Sequence, residues 1–109
     1  MYDIVVYETE NGHVPFDAWF DSLNVQAAPK VTTAIARMET GHFGDIKPVG
    51  HGVSERRISF GPCHRIDFGQ EHPNRIILLM GGTRKQQSRD IASAQTFWTD
   101  YRKRRRRDL

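Results

Sequence analysis

Four cations in the C-terminal half of the chain, Arg57, Arg65, Arg84 and Lys85, have the types and spacing to act on a phosphate. Arginine donates hydrogen bonds in pairs from a planar fork that stays charged, which suits it to phosphate. Around a phosphodiester, such groups stabilise the extra charge of a pentacoordinate transition state, as a ribonuclease requires. They converge only if strand geometry puts them on one surface. In one segment Ile58 and Phe60 share a face and leave Glu55, Arg57 and Ser59 on the other. In the next, Ile66 and Phe68 share a face with His64 and leave Arg65 and Asp67 opposite. If both apolar sets meet the helices, Arg57 and Arg65 point away from the core, and a register that sets them directly across keeps both faces consistent. Like charges across a strand pair are unfavourable, so an anionic partner is expected. The competing reading is a solvated face on which the arginines form weak ion pairs with Glu55 or Asp67. The run Gly81-Gly82-Thr83-Arg84-Lys85-Gln86 adds two cations beside backbone that glycine leaves open to close approach.

The elements that must position these residues follow from hydrophobic periodicity. Residues 2–7 are β-branched and aromatic and read as a strand. Pro15 opens a helix whose Phe16, Trp19, Phe20 and Leu23 fall on one face. A second helix carries Val31, Ala34, Ile35 and Met38 at the same spacing, with Pro29 in its first turn and Gly41 as its C′ residue. The short link predicts an antiparallel helical hairpin. Residues 41–53, rich in Gly and turn formers, read as a loop. Strands over about 54–60, 63–69 and 75–84, separated by Gly61-Pro62 and His72-Pro73-Asn74, predict an antiparallel meander. A last helix, capped by Ser88 or Asp90, aligns Ile91, Ala94, Trp98 and Tyr101. The order β-α-α-β-β-β-α predicts an α+β fold, a mostly antiparallel four-stranded sheet with its helices on one side.

Composition narrows the class. The 109 residues suit one domain. The single cysteine, Cys63, excludes an intramolecular disulfide and a multi-thiolate metal site and fits a reducing cytosol. Neither a signal-peptide pattern nor an apolar stretch long enough to span a bilayer is visible, so a cytoplasmic protein without membrane contact is expected. The formal charge of +3 is uneven. Residues 102–107 are all basic, whereas residues 1–101 hold 10 basic and 12 acidic side chains. Residues 104–109 therefore read as a disordered basic tail, in which Arg104, Arg105, Arg106 and Arg107 would attract RNA through salt-dependent contacts. His13, His42, His51 and His72 fall at loops or turns without metal-ligand spacing.

Four segments resemble a known family. Pro15-Phe16-Asp17-Ala18-Trp19-Phe20, Gly52-Val53-Ser54-Glu55-Arg56-Arg57-Ile58, Gly61-Pro62-Cys63-His64-Arg65-Ile66 and Leu79-Met80-Gly81-Gly82-Thr83-Arg84-Lys85-Gln86-Gln87 are similar, in order and spacing, to the HigB-like, phage-derived branch of the RelE/ParE superfamily of toxins. The resemblance covers about residues 2–103 and implies a RelE-like toxin domain over 1–103. It implies the toxin of a type II toxin–antitoxin pair, a ribosome-dependent mRNA endonuclease that inhibits translation and growth. Cleavage would proceed without metal or other cofactor, by attack of the ribose 2′-OH on the adjacent phosphate. Its partners would be mRNA, the ribosome and a neutralising antitoxin, in this branch usually a helix-turn-helix protein.

By position Arg57 and Arg65 would be phosphate clamps, and Arg84 or Lys85 the basic residue after the last strand. Lys85 could accept a proton or serve as a clamp, whereas a guanidinium barely deprotonates. Tyr101 matches an aromatic position that could stack on a base; its helical stripe equally suits a core residue. Where many members carry Gly-Tyr, this chain has Cys63-His64. His64 could be a general acid, but strand parity places it on the core side. Cys63 reads as a small strand residue. ParE-like members of the superfamily inhibit DNA gyrase by binding it, and a copy without activity is a further alternative; the fold alone does not separate them.

Overall fold

The computed structural model describes residues 1–108 and forms an α+β fold around a five-stranded mixed sheet. Strand β1 (Asp3–Val6) leads to helices α1 (Pro15–Asp21) and α2 (Ala27–Glu39), then to strands β2 (Ile46–Gly50), β3 (Val53–Ile58), β4 (His64–Glu71) and β5 (Arg75–Thr83). A 3-10 turn over Arg84–Gln86 enters the long helix α3 (Gln87–Asp108). The sheet order is β1-β5-β4-β3-β2, with β1 parallel to β5 and the other pairs antiparallel.

Local chemistry explains the helical hairpin. Pro15 opens α1, where its missing N–H costs nothing. The Asn24 side-chain oxygen accepts from the backbone N–H groups of Gln26 and Ala27 at 3.0 and 2.8 Å, covering donors that α2 leaves unpaired at its start. At the other end the Gly41 N–H bonds Met38 O and the His42 N–H bonds Arg37 O, a Schellman closure that needs the positive φ of 93° at Gly41.

Three expectations are corrected. First, the loop predicted over 41–53 contains β2, a fifth strand, so the sheet is not four-stranded. It is an edge strand, where Pro48 costs no ladder bond that a neighbour requires. It joins β3 through His51 and Gly52, both with positive φ, which is the backbone of a tight primed hairpin turn. Second, the helices do not lie on one side. Phe16, Val31, Ala34 and Met38 of α1 and α2 pack on Ile58, Ile66, Phe68, Ile76 and Leu78, whereas Ala94 and Trp98 of α3 pack with Val53, Ile77 and Leu79 on the opposite face. Buried on both faces, β5 is apolar without alternation from Ile76 to Met80, as a central strand should be. Third, α3 continues through Asp108, so the tail expected to be disordered from residue 104 is helical; Leu109 lies outside the described residues.

No helix is long and apolar enough to cross a membrane among the described residues.

Candidate functional site

The β3–β4 register places Arg57 directly opposite Arg65, and β4–β5 places Arg65 opposite Gly82. Both arginines face α3, not α1 and α2. Because α3 covers that face, the two meet different environments. Arg57, near the open end of β3, keeps 41% of its side chain exposed and donates to Asp45 at 2.9 Å. Its ion-pair partner is thus neither Glu55 nor Asp67. Arg65 is only 2% exposed. Its expected orientation away from the core is corrected: it is a buried residue of the sheet–α3 interface.

Arg65 there faces three carboxylates from three elements. One terminal nitrogen donates to Asp67 Oδ2 at 2.7 Å, and the other to Asp90 Oδ2 at 2.7 Å and to Thr83 O at 3.3 Å. The Glu55 carboxylate lies 3.8 Å from Nε, and its two oxygens accept from the side-chain amide nitrogen of Gln87 at 3.1 and 2.9 Å. Glu55 and Asp67 are fully buried. One guanidinium cannot neutralise three carboxylates in a dry setting. Burial is the main force that pushes the Asp67 carboxyl up to about 7; Arg65 pulls it down, and Glu55 and Asp90 add to the rise. Asp67 Oδ1 has no hydrogen-bond partner in the protein, so the charged carboxylate is stabilised through Oδ2 alone. Asp90, expected as a helix cap, instead sits in the first turns of α3 and reaches back into the sheet.

Above this cluster is a small cavity of about 40 Å³ lined by Arg57, Cys63, Arg65, Arg84 and Gln87. The exposed Arg84 and the half-exposed Arg57 border its opening, and the buried Arg65 its inner wall. The structure brings together three of the four expected cations. Lys85 lines the adjoining groove of about 260 Å³ with Arg84, Gln86, Gln87, Ser88 and Arg89. Gly82, read as a gap for close approach, is filled from within: a Cβ there would collide with the Asp90 carboxylate.

The remaining candidates are resolved by packing. His64 is buried on the α1 side, near Trp19 and Phe60, with Nδ1 3.3 Å from Phe60 O. Cys63 is not a strand residue; it occupies the turn before β4 with φ 61°. Tyr101 stacks on Trp98 at 5.6 Å with rings 6° apart and donates to Glu71 at 3.1 Å, so its ring packs, partly buried, against the core. In the basic run Arg104 pairs with Asp100, Arg105 with Glu71 and Arg107 with Glu10. Sequence reasoning offered Glu55 and Asp67 as partners of the strand arginines, which holds for Arg65, but missed Asp90 as its third carboxylate and Gln87 as the donor to Glu55. The signal was the unbroken apolar run of β5, which requires cover on both faces. Among the described residues no group of three His, Cys, Asp or Glu side chains is placed to hold a metal ion.

No protein-family model matches the chain. It is 38% identical over 81 residues to a protein of Haemophilus influenzae named only "Uncharacterized protein", an alignment that covers 73% of this chain and 82% of that one.

Proposed function

The chain belongs to one family with that Haemophilus influenzae protein, and from this premise and the geometry we propose that it is a RelE/ParE-superfamily toxin of the HigB-like branch that cleaves ribosome-bound mRNA. The observation that carries the reading is the convergence of Arg57, Arg65 and Arg84, from β3, β4 and the turn after β5, on one cavity. Arg65 is already matched by Glu55, Asp67 and Asp90, so the charge offered to a phosphodiester comes from Arg84 and the half-exposed Arg57, whose guanidinium groups suit paired hydrogen bonds to phosphate.

In this reading Arg57 and Arg84 hold the scissile phosphate at the cavity mouth. The ribose 2′-oxygen forms a bond to phosphorus as the bond to the 5′-oxygen breaks, and the departing oxygen takes a proton from water, leaving a cyclic phosphate and a 5′-hydroxyl. The added negative charge of the transition state falls between the two guanidinium groups. Lys85, exposed one residue beyond Arg84, is the side chain we assign to accept the 2′-proton. Arg65 acts differently from the clamp expected of it. Its terminal nitrogens are occupied by Asp67, Asp90 and Thr83 O, so it fixes the turn that carries Arg84 and Lys85 and does not grip the substrate. A small helix-turn-helix antitoxin encoded beside the gene would complete the system, and the cytosol would be its compartment.

One observation favours a second reading. With Arg65 withdrawn into ion pairs, the open cationic surface is reduced, as in a ParE-like protein that inhibits gyrase by binding. Mapping transcript ends after brief induction separates the two. Cuts within translated frames, lost in Arg57→Ala and Arg84→Ala proteins that remain folded, are expected. Intact transcripts with blocked supercoiling would overturn the nuclease. Co-expression with each neighbouring reading frame should restore growth in one case; rescue by none removes the toxin–antitoxin assignment.

A further inference from the structure

The second half of α3 carries a larger concavity, unconnected with the arginine cavity. About 480 Å³ in volume, it is bounded by Gly52, Gln70, Glu71, His72 and the edge of Trp98, with Arg102, Arg105 and Arg106 on its helical wall. The run of basic residues divides sharply here. Arg104, Arg105 and Arg107 are held by the protein's own carboxylates. Burial pushes the Glu71 carboxyl up, but hydrogen bonds from Arg105 and Tyr101 outweigh it and hold Glu71 below its usual range. Among the described residues Arg102 and Arg106 form no ion pair. Both are exposed, one helical turn apart on one face, and Arg102 lies over the Trp98 ring at 5.9 Å. Trp98 itself is 5% exposed and cannot stack on a ligand; it stiffens the wall.

The outward stripe of α3 extends this charge. Arg89, Ala92, Thr96, Thr99, Lys103 and Arg106 are exposed and share one side of the helix. No carboxylate interrupts them: Asp90 is turned into the sheet, and Asp100 is bound by Tyr7 and Arg104. Thr96 and Thr99 keep their hydroxyls on the helix's own carbonyls, which leaves a low, uncharged saddle between two cationic ends. Arg84, Lys85 and Arg89 form the first end, Arg102, Lys103 and Arg106 the second. From Arg89 to Arg106 the helix rises about 26 Å at ~1.5 Å per residue. A stacked strand carries a phosphate every ~3.4 Å, so the stripe matches about seven phosphates.

We propose that the outward stripe of α3, with the Arg102–Arg106 cleft as its principal seat, binds the phosphate backbone of single-stranded RNA. An extended polyanion satisfies both cationic ends at once, whereas an isolated acidic side chain satisfies one. The low saddle lets the backbone pass, and the amide of Gln70 and imidazole of His72 can meet base edges. The inference deepens the RNA-directed reading above by naming how the strand would be held, and it rests on that reading only for the choice of RNA as the polyanion.

The test is binding, not cleavage. The full chain is titrated against a fluorescein-labelled oligouridylate of about a dozen nucleotides, long enough to overhang the stripe at ~3.4 Å per phosphate, over a series of salt concentrations. The double variant Arg102→Ala/Arg106→Ala should bind on the order of tenfold more weakly, and its salt slope should fall by about 1.4, near 0.7 for each phosphate left without its arginine. Arg104→Ala, which breaks an internal pair with Asp100 outside the cleft, should leave the slope nearly unchanged. Thr96→Glu/Thr99→Glu, exposed on the saddle, should weaken binding without touching any arginine and guards against a misfolded arginine variant. Absence of binding by the native chain at low salt would overturn the proposal. So would an unchanged slope in the double variant, or displacement of the RNA by polyglutamate at equal charge. Firm binding on this stripe with no cut transcripts in cells would remove the nuclease and keep the stripe. Cut transcripts with an unchanged slope would do the reverse.

Discussion

On the face under α1 and α2, strands β4 and β5 turn Ile66, Phe68, Ile76 and Leu78 into an apolar layer closed by Phe16, Val31 and Met38. On the face under α3, the same two strands bury Ile77 and Leu79 at one end and Arg65 and Asp67 at the other, with Glu55 and Asp90 beside them. Gly81 and Gly82 mark the contrast at adjacent positions. A Cβ at Gly81 would strike the Trp19 ring, and one at Gly82 the Asp90 carboxylate. The first face is held by area removed from water, which is indifferent to direction and nearly to pH. The second is held by a directional network of charges whose desolvation opposes its attraction. The cationic site grows out of the second face, because the network that anchors α3 also fixes the turn carrying Arg84 and Lys85.

The strongest way to break this comparison is Arg65→Ala. It leaves three carboxylates under α3 without their cation, and a loss of about 3–5 kcal/mol is expected in urea unfolding. Adding Asp67→Asn and Asp90→Asn should recover part of that loss. No recovery would mean that Arg65 acts through packing alone.

The pH profile separates the faces next. The Asp67 carboxyl is raised to about 7 in the fold from an ordinary 3.8. Below the lower value both folded and unfolded chains hold the proton, and Asp67 carries no penalty. As pH rises between the two values the unfolded chain releases the proton while the fold retains it, so the fold loses stability; above the higher value the loss is complete. Asp67→Asn should flatten this descent in unfolding free energy measured between about pH 4 and 7. Ile66→Val, on the apolar face, should cost about 0.5–1.5 kcal/mol by the same amount at every pH. A wild-type profile that rises across the window would refute the assignment. The depressed carboxyls act in the opposite direction and only at its acid end. Glu71, held down by its hydrogen bonds against burial, and Asp100, held down first by the Tyr7 hydroxyl, lose their contribution only as pH falls through the ordinary carboxylate range.

The two glycines sharpen the contrast further. Gly81→Ala and Gly82→Ala should each cost about 1–3 kcal/mol by overpacking, but only Gly82→Ala should also alter the pH profile, since it displaces Asp90 from Arg65. The smallest effect on stability belongs to Arg57→Ala. Its pair with Asp45 is exposed, so thermal unfolding should not move measurably. A clear drop in Tm would place Arg57 in the core network instead of the open site.

Much of this was legible in the residues themselves. Periodicity located α1 and α2, the Gly41 closure and the strands β3, β4 and β5, because turn formers and alternation act over a few neighbours. Parity even set the register of Arg57 against Arg65, since a slip by one residue would have exposed Ile58 and Ile66. Parity says only which residues share a face, however, not what lies over it. That α3 crosses to the far side, that it carries Asp90 back to Arg65, and that Arg104, Arg105 and Arg107 find Asp100, Glu71 and Glu10 were all decided by tertiary packing. Edge strand β2 stayed hidden for a related reason: it buries almost nothing of its own, and its pairing with β3 exists only once the sheet does. Side-chain type fixes what charge a residue can bring; only the fold, by covering one guanidinium and leaving its cross-strand neighbour in water, fixes whether that charge is spent inside the protein or offered to a partner.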